Sequence, residues 1–474
     1  MAIMAADTYG FTYSEQRTPA LQDVTFAAAP GEVILIAGDS GSGKSTLLKS
    51  LNGLIPEIVE GRLTGQRFLN DQDMTNLSID AVSRMVGTVF QNPRSQFFTL
   101  DATSEMVFAM ENYGFSRQTM RARLTSLQKT LPIAGLMSRE IYGLSSGERQ
   151  LLALATAMVL NPDVLLFDEP SANLDYHNAM ALGPLIRKLK TMGKTVFVAD
   201  HRYFYLGGVI DRVFALADRR LTVFESEAAF RRSSWNTRGF DLFALDTPCR
   251  GGAPRGDPVA EVCELRKWSV LRGVSLRFYT GEIAAVVGVN GVGKSTLAKL
   301  LTGSLRPDGG TVRTDDLPFY VMQDADYQLF GTSVAGELEI GRSRLSAAQK
   351  KAALQPLGLW PYRNTPPPFN LSGGEKQRLQ IAAASLSEAT LIIFDEPTSG
   401  LDARAMNRVA AAISDLADRK AVLVISHDYA FIRMVADRVI HLKDGRVARD
   451  FPLTPAAFGD LNQIFKEMET CNET

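Results

Sequence analysis

Gly38 to Thr46 reads GDSGSGKST, and Gly288 to Thr296 reads GVNGVGKST. Glycines at this spacing let successive backbone N–H groups turn inward around phosphate oxygens, and the helix start that follows adds partial positive charge. Lys44 and Lys294 are placed to reach β- and γ-phosphates, and the hydroxyls of Ser45 and Ser295 to ligate Mg2+. Asp39, Ser40, Gly41, Ser42, Gly43 and Thr46 complete the first nucleotide cradle. Asn290, Gly291, Val292, Gly293 and Thr296 complete the second. The surroundings agree in both places. Val33-Ile34-Leu35-Ile36 and Ile283-Ala284-Ala285-Val286-Val287 read as buried strands, and leucines at helical spacing follow each loop. Two strand–loop–helix units predict an α/β chain with two ATP sites.

Working outward, the same train of motifs follows each loop. The loop lysines lie 250 positions apart (294 − 44), the glutamines Gln91 and Gln323 lie 232 apart (323 − 91), and the serines Ser145 and Ser372 lie 227 apart (372 − 145). The halves are therefore a duplicated domain, the second shorter by about 18 residues between loop and glutamine. In the first half that stretch, GRLTGQRFLNDQDMTNLSID, reads as a polar hairpin and short helix outside the core. Between the halves, Asp246 to Pro258 (DTPCRGGAPRGDP) is dense in Gly and Pro and reads as a tether. The expected division is a first domain over 1–232, a linker over 233–259 and a second domain over 260–474.

Composition narrows the classes. There are 51 basic and 52 acidic residues for a net charge of −1, without the basic excess of a nucleic-acid binder. Cys249, Cys263 and Cys471 show no metal-ligand spacing. The opening MAIMAADTYGF lacks the pattern of a signal peptide, and the longest apolar run, Leu151 to Leu160, is too short to span a bilayer. A soluble chain is expected, held at any membrane by something else.

Two apolar strands end in paired acids: Val164-Leu165-Leu166-Phe167 runs into Asp168-Glu169, and Leu391-Ile392-Ile393-Phe394 into Asp395-Glu396. Such a run is a central parallel strand whose carboxyl end meets a ligand. Asp168 and Asp395 suit the Mg2+ shell, while Glu169 and Glu396 can polarise an attacking water. LSSGERQ (Leu144 to Gln150) and LSGGEKQ (Leu371 to Gln377) carry the S-x-x-E spacing of a helix capping box. A helix start behind small residues is also an anion site.

The order of loop, glutamine, LSGG-type signature, apolar-DE, Leu-Asp turn (Leu174-Asp175, Leu401-Asp402) and terminal histidine resembles the ABC ATPase family, twice over nearly the whole chain. The resemblance implies two P-loop domains, each a mostly parallel sheet core with an antiparallel β subdomain and a helical signature subdomain. It further implies a head-to-tail pairing within the chain in which each ATP is sandwiched. Lys44 would face Ser372, Gly373 and Gly374, and Lys294 would face Ser145, Ser146 and Gly147. Gln91 and Gln323 would sense γ-phosphate and Mg2+, and His201 and His427 would steady the attacking water. Ser146 departs from the usual glycine but remains small. Tyr13 is placed to stack on adenine in the first half, whereas Leu265 or Trp268 occupies the comparable stretch in the second.

A narrower resemblance follows the glutamines. QNPRSQFF (Gln91 to Phe98) and QDADYQLF (Gln323 to Phe330) look like the energy-coupling-factor importer ATPases. There this segment forms a short helix whose groove grips helices of a transmembrane coupling protein, a helix-in-groove mode. The resemblance implies a peripheral ATPase on the cytoplasmic face of a prokaryotic cell membrane. It would power uptake of a vitamin, precursor or transition metal ion with a coupling protein and a substrate-binding membrane protein, and without nucleic acid. The alternatives are the twin ATPase of a sugar importer, or a soluble twin-ABC protein acting on ribosomes or DNA. The latter usually carries a long charged linker or metal-binding cysteines.

Overall fold

The computed structural model describes residues 2–172, 174, 176–235, 250, 254–289, 291–342, 344–365, 371–398, 401 and 403–470. Asn290, the aspartates of both Leu-Asp turns (Asp175 and Asp402), Cys249 and Cys471 lie outside them. The chain divides into two compact units, Met1–Ala244 and Leu245–Thr474.

The first unit is built on a six-stranded sheet in the order Arg220–Phe224, Arg212–Ala217, Val33–Gly38, Thr195–Ala199, Val164–Asp168, Val86–Val89. Every pair is parallel except the first. The inner strands are apolar throughout because both faces are covered, and successive side chains feed opposite cores. Val33, Leu35, Leu165, Phe167, Val196 and Val198 join one core with residues of the helices Ala102–Asn112, Ser146–Met158 and Tyr176–Thr191. Ile34, Ile36, Val164, Leu166 and Phe197 join another with Leu47, Leu48 and Leu51 of helix Lys44–Leu51. That second core is closed by the antiparallel sheet Leu21–Ala28, Met4–Tyr13, Gly61–Leu69, Gln72–Asp73. Cutting one such leucine back to alanine costs about 2–5 kcal/mol, so the sheet is a stiff mount for the loops at its carboxyl edge.

The second unit repeats the plan. Its sheet runs Phe319–Val321, Leu391–Asp395, Ala421–Ile425, Ile283–Val287, Arg438–Lys443, Arg446–Pro452, again with one antiparallel pair at the end. The antiparallel layer is Leu271–Thr280, Arg255–Lys267, Gly309–Thr314. In both units the strand entering the phosphate loop lies between the strand before the histidine and the start of the terminal hairpin.

The length difference has a definite location. Strand Gly61–Leu69 is not peripheral: it pairs with Met4–Tyr13 and has its counterpart in Gly309–Thr314. The extra residues follow it as the hairpin partner Gln72–Asp73, the turn Met74–Asn76 and the Ser78-capped helix Ile79–Met85. The second unit passes from Thr314 to Phe319 without these elements. Its helices Val334–Glu337 and Ala347–Leu354 are also shorter than their counterparts Ala102–Asn112 and Arg117–Thr130.

Parts of the stretch expected as linker belong to the units. Trp235 packs against the first core, and strand Arg255–Lys267 already includes Pro258. Arg250, within the tether motif, bonds to the carboxylates of Asp437 and Asp418 and to the carbonyl of Gly281. In the first unit Lys190 plays this part for Asp211, at 2.6 Å. Both aspartates also accept the amide that opens the phosphate-loop strand, from Val33 and Ile283, each at 2.9 Å.

Candidate functional site

Each phosphate loop turns on glycines held in backbone conformations that side chains resist. Gly43 and Gly293 adopt φ of 106° and 114° at the N-caps of helices Lys44–Leu51 and Lys294–Leu301. A Cβ on Gly43 would meet the Ala20 carbonyl oxygen at 2.9 Å, and one on Gly293 the Val270 side chain at 2.9 Å. Both lysines are buried and donate to loop carbonyls. Lys44 Nζ reaches Gly38 O at 2.8 Å and Asp39 O at 3.1 Å; Lys294 Nζ reaches Gly288 O at 2.7 Å and Val289 O at 3.1 Å. A cation arched over a nest of amides is the geometry that receives phosphate oxygens.

The carboxylates expected to serve the metal sit against the loop hydroxyls. Ser45 Oγ donates to Asp168 Oδ1 at 3.0 Å, and Ser295 likewise hydrogen-bonds Asp395. Hydroxyl and carboxylate oxygens suit a hard cation, so the pair fits Mg2+. Ser45 with Asp168, and Ser295 with Asp395, would hold the ion, which would supply neutralisation of the charge that develops on transfer. Burial pushes both aspartates above the usual carboxylate range, opposed by these hydrogen bonds and by the loop lysines. The second half adds a partner that the motifs do not reveal: Tyr320 donates its hydroxyl to Asp395 Oδ2 at 2.7 Å. Thr88 stands at the matching place in the first half and accepts instead from Asn52 at 3.3 Å.

Glu169 and Glu396 each take left-handed backbone angles, φ of 47° and 51°, while their amides extend the ladder to Ala199 O and Ile425 O. Strain of this kind persists only where the surroundings enforce it, and it gathers at functional positions. In the first half Gln91 Nε2 donates to Glu169 Oε2 at 2.7 Å. His201 Nε2 lies 3.0 Å from Glu169 Oε1 and 3.4 Å from Lys44 Nζ. Glutamine, glutamate, histidine and lysine therefore meet as the train of motifs implies. The second half is wired differently. His427 Nδ1 lies 2.7 Å from Glu396 Oε1, and Ser426 Oγ donates to Glu396 Oε2 at 3.4 Å. Gln323 is exposed and makes no hydrogen bond to Asp395 or Glu396. Burial alone would raise Glu396, but the charge and hydrogen bond of His427, with Lys294, hold it below the usual range.

The signature motifs start helices Ser146–Met158 and Gly373–Ser385. Ser145 and Ser372 form complete capping boxes with Glu148 and Glu375, and both serines are exposed within their own units. A Cβ on Gly147 would strike the Asn178 side chain, which explains a glycine there.

The segments after the glutamines share one construction. Gln96 takes the Phe90 amide and reaches Thr88 O, and Gln328 takes the Met322 amide and reaches Tyr320 O. Those glutamines are loop staples rather than contact residues. Next in line, Phe97 and Leu329 turn inward, while Phe98 and Phe330 stand 76% and 73% exposed. A buried glutamate secures each: Glu105 accepts the amides of Phe98 and Thr99, and Glu337 those of Phe330 and Gly331.

Near the nucleotide cradle, Tyr13 bonds Thr46 Oγ1 at 2.9 Å and packs edge-on against Phe11. In the second half Leu265 is buried in the core, leaving Trp268, 63% exposed, as the available aromatic. Its amide is held by Asp308.

Comparison with known proteins agrees with this geometry. The family model described as "ABC transporter" matches residues 21–172 and 271–399. A "Putative ABC transporter ATP-binding protein" of Treponema denticola is 36% identical, over 96% of this chain and 98% of the relative. A "Putative HMP/thiamine import ATP-binding protein YkoD" of Bacillus subtilis is 29% identical, over 94% of this chain and 91% of its own length. Among solved structures, one described as "RNase-L Inhibitor" superposes with a TM-score of 0.65 at 23% identity, over 96% of this chain and 92% of that one. At that identity the likeness concerns the fold alone.

Proposed function

The chain belongs to the ABC transporter family of ATP-binding proteins, an ATP hydrolase with two fused domains, and from that premise we propose that it drives an importer of the energy-coupling-factor type. The cargo would be a micronutrient: a vitamin, its precursor or a transition metal ion. A relative named for HMP/thiamine import supports that class. The observation that carries the reading is the twin outward phenylalanine, Phe98 and Phe330, each pinned through its amide by a buried glutamate on a loop that a glutamine staples further back. Rigid aromatic anchors of this kind suit helices of a membrane coupling protein. No helix among the described residues is long and apolar enough to cross a membrane, so attachment would come through such a partner.

In the working cycle, Lys44 and Lys294 hold the phosphates, and Glu169 and Glu396 orient the attacking water with His201 and His427. The nucleotide on the Lys44 loop would be closed by the helix start at Ser372, and that on the Lys294 loop by the start at Ser145. Two capped, exposed helix termini are suited to that task. ATP would favour the closed state by its differential affinity and hydrolysis would release it. The ribosome- or DNA-directed alternative gains no support beyond the shared fold.

Docking is tested by Phe98→Glu combined with Phe330→Glu in cells that carry the native membrane partners. The double variant should leave the membrane fraction while the purified chain keeps ATP affinity within about twofold, since neither residue touches a phosphate loop. Undiminished membrane association would defeat the importer reading.

A further inference from the structure

Asp200 follows strand Thr195–Ala199 directly, is 2% exposed, and belongs to none of the motifs that define the site. Its carboxylate takes five donors. Oδ1 accepts the amides of His201 at 2.6 Å and Arg202 at 3.1 Å, and the Ser171 hydroxyl at 2.9 Å. Oδ2 accepts the Ser171 amide at 3.2 Å and the Tyr205 hydroxyl at 2.5 Å. Ser171 stands two positions after Glu169, on the loop leaving the neighbouring strand Val164–Asp168. One buried group thus ties the loop that carries the histidine to the loop that carries the glutamate.

A carboxylate is the group this arrangement needs, because all five partners donate and an ionised acid only accepts. The second half solves the same problem without it. Ser426 stands at the matching place, accepts the Asp428 amide at 3.0 Å, and sends its hydroxyl to Glu396 itself. There the histidine loop hangs on the catalytic acid. In the first half it is anchored independently of that acid.

We infer that Asp200 is a positioning residue of the first ATP site, locking the loops of His201 and Glu169 into one unit so that the histidine meets the transferring phosphate in register. The inference concerns hydrolysis and holds whichever partner the chain serves. Misplacing a catalytic group by an ångström costs up to about a hundredfold in rate, whereas ground-state binding by the phosphate loop does not depend on that register.

The test uses the full chain with a photoreactive ATP analogue, mapped by digestion to each half, in two states. One is the analogue bound with Mg2+; the other is the nucleotide diphosphate trapped by orthovanadate, which imitates the transferring phosphoryl group. Asp200→Asn should reduce vanadate trapping on the first half about tenfold or more, while plain binding there stays within about twofold. Ser171→Ala keeps the backbone amide and removes one hydroxyl, so it is the gentler variant and should reduce trapping about fivefold. Trapping unchanged in both variants overturns the inference. So does a loss of trapping matched by an equal loss of binding, because that marks a general weakening of the fold.

Discussion

The two corners proposed for catalysis contain the same residues and hold them by different bonds. Around Glu169, the glutamine, histidine and lysine converge, and the histidine loop is fastened by Asp200. Around Glu396, the glutamine stands apart, the histidine presents its other ring nitrogen, and Ser426 leans on the acid. Tyr320 meanwhile donates to Asp395 Oδ2, whereas Thr88, at the matching place in the first half, accepts from Asn52. Duplication kept the glutamine, glutamate, histidine and lysine and let their supports diverge. Chemical competence and mechanical readiness are therefore separate properties, and the first corner is the more completely assembled.

The strongest way to break this comparison is to remove both acids. Glu169→Gln together with Glu396→Gln should lower ATP hydrolysis by about a hundredfold or more while ATP still binds, read as steady-state phosphate release beside a binding isotherm. The two single variants then weigh the corners against each other. If each retains the same residual rate, the difference in wiring has no catalytic consequence. A smaller effect addresses the proposed exchange of helix termini. Ser145→Arg should lower nucleotide occupancy on the half carrying Lys294 about tenfold, measured by mapped photolabelling. Loss confined to the half carrying Ser145 would remove the sandwich from the proposal. The smallest effect lies at Tyr320. Its hydrogen bond holds Asp395 down against burial, so Tyr320→Phe raises that carboxyl further. The metal needs the ionised form, and a raised acid loses it sooner as pH falls. The acid limb of Mg2+-dependent hydrolysis should move to higher pH, with about a twofold loss at pH 5 and none near pH 7.5. An unmoved limb would mean that Asp395 on the second half does not set it.

Much of this was legible because it is local. Phosphate loops, capped signature helices and apolar strands ending in Asp-Glu each declare themselves within about ten residues, and the repeat located them twice. The hairpin and helix of the first unit were readable from their polarity, although Gly61–Leu69 proved integral to its sheet. What escaped depends on neighbours in space. Asp200 reaches Ser171 across 29 positions and Tyr320 reaches Asp395 across 75, and no spacing rule connects such pairs. Glu105 and Glu337 could have been found: both lie 232 apart (337 − 105), in step with Gln91 and Gln323, and a charged residue kept in phase among apolar neighbours asks for a buried partner. The fastening of Arg250 inside the Gly- and Pro-rich tether is hidden for a related reason. Gly and Pro density signals the lack of a helix, but an arginine inside such a stretch can still be fastened to a folded surface.

That arginine bears on how the protein can be dissected. Arg250 gives the second unit a cation for Asp437 that the first unit supplies from its own helix, through Lys190. A recombinant second half begun at the first strand residue, Arg255, would discard this ion pair at the root of the phosphate-loop strand and should be less stable for it. Excision upstream of Arg250 keeps the pair, so the boundary of an autonomous fragment lies several residues before the sheet begins.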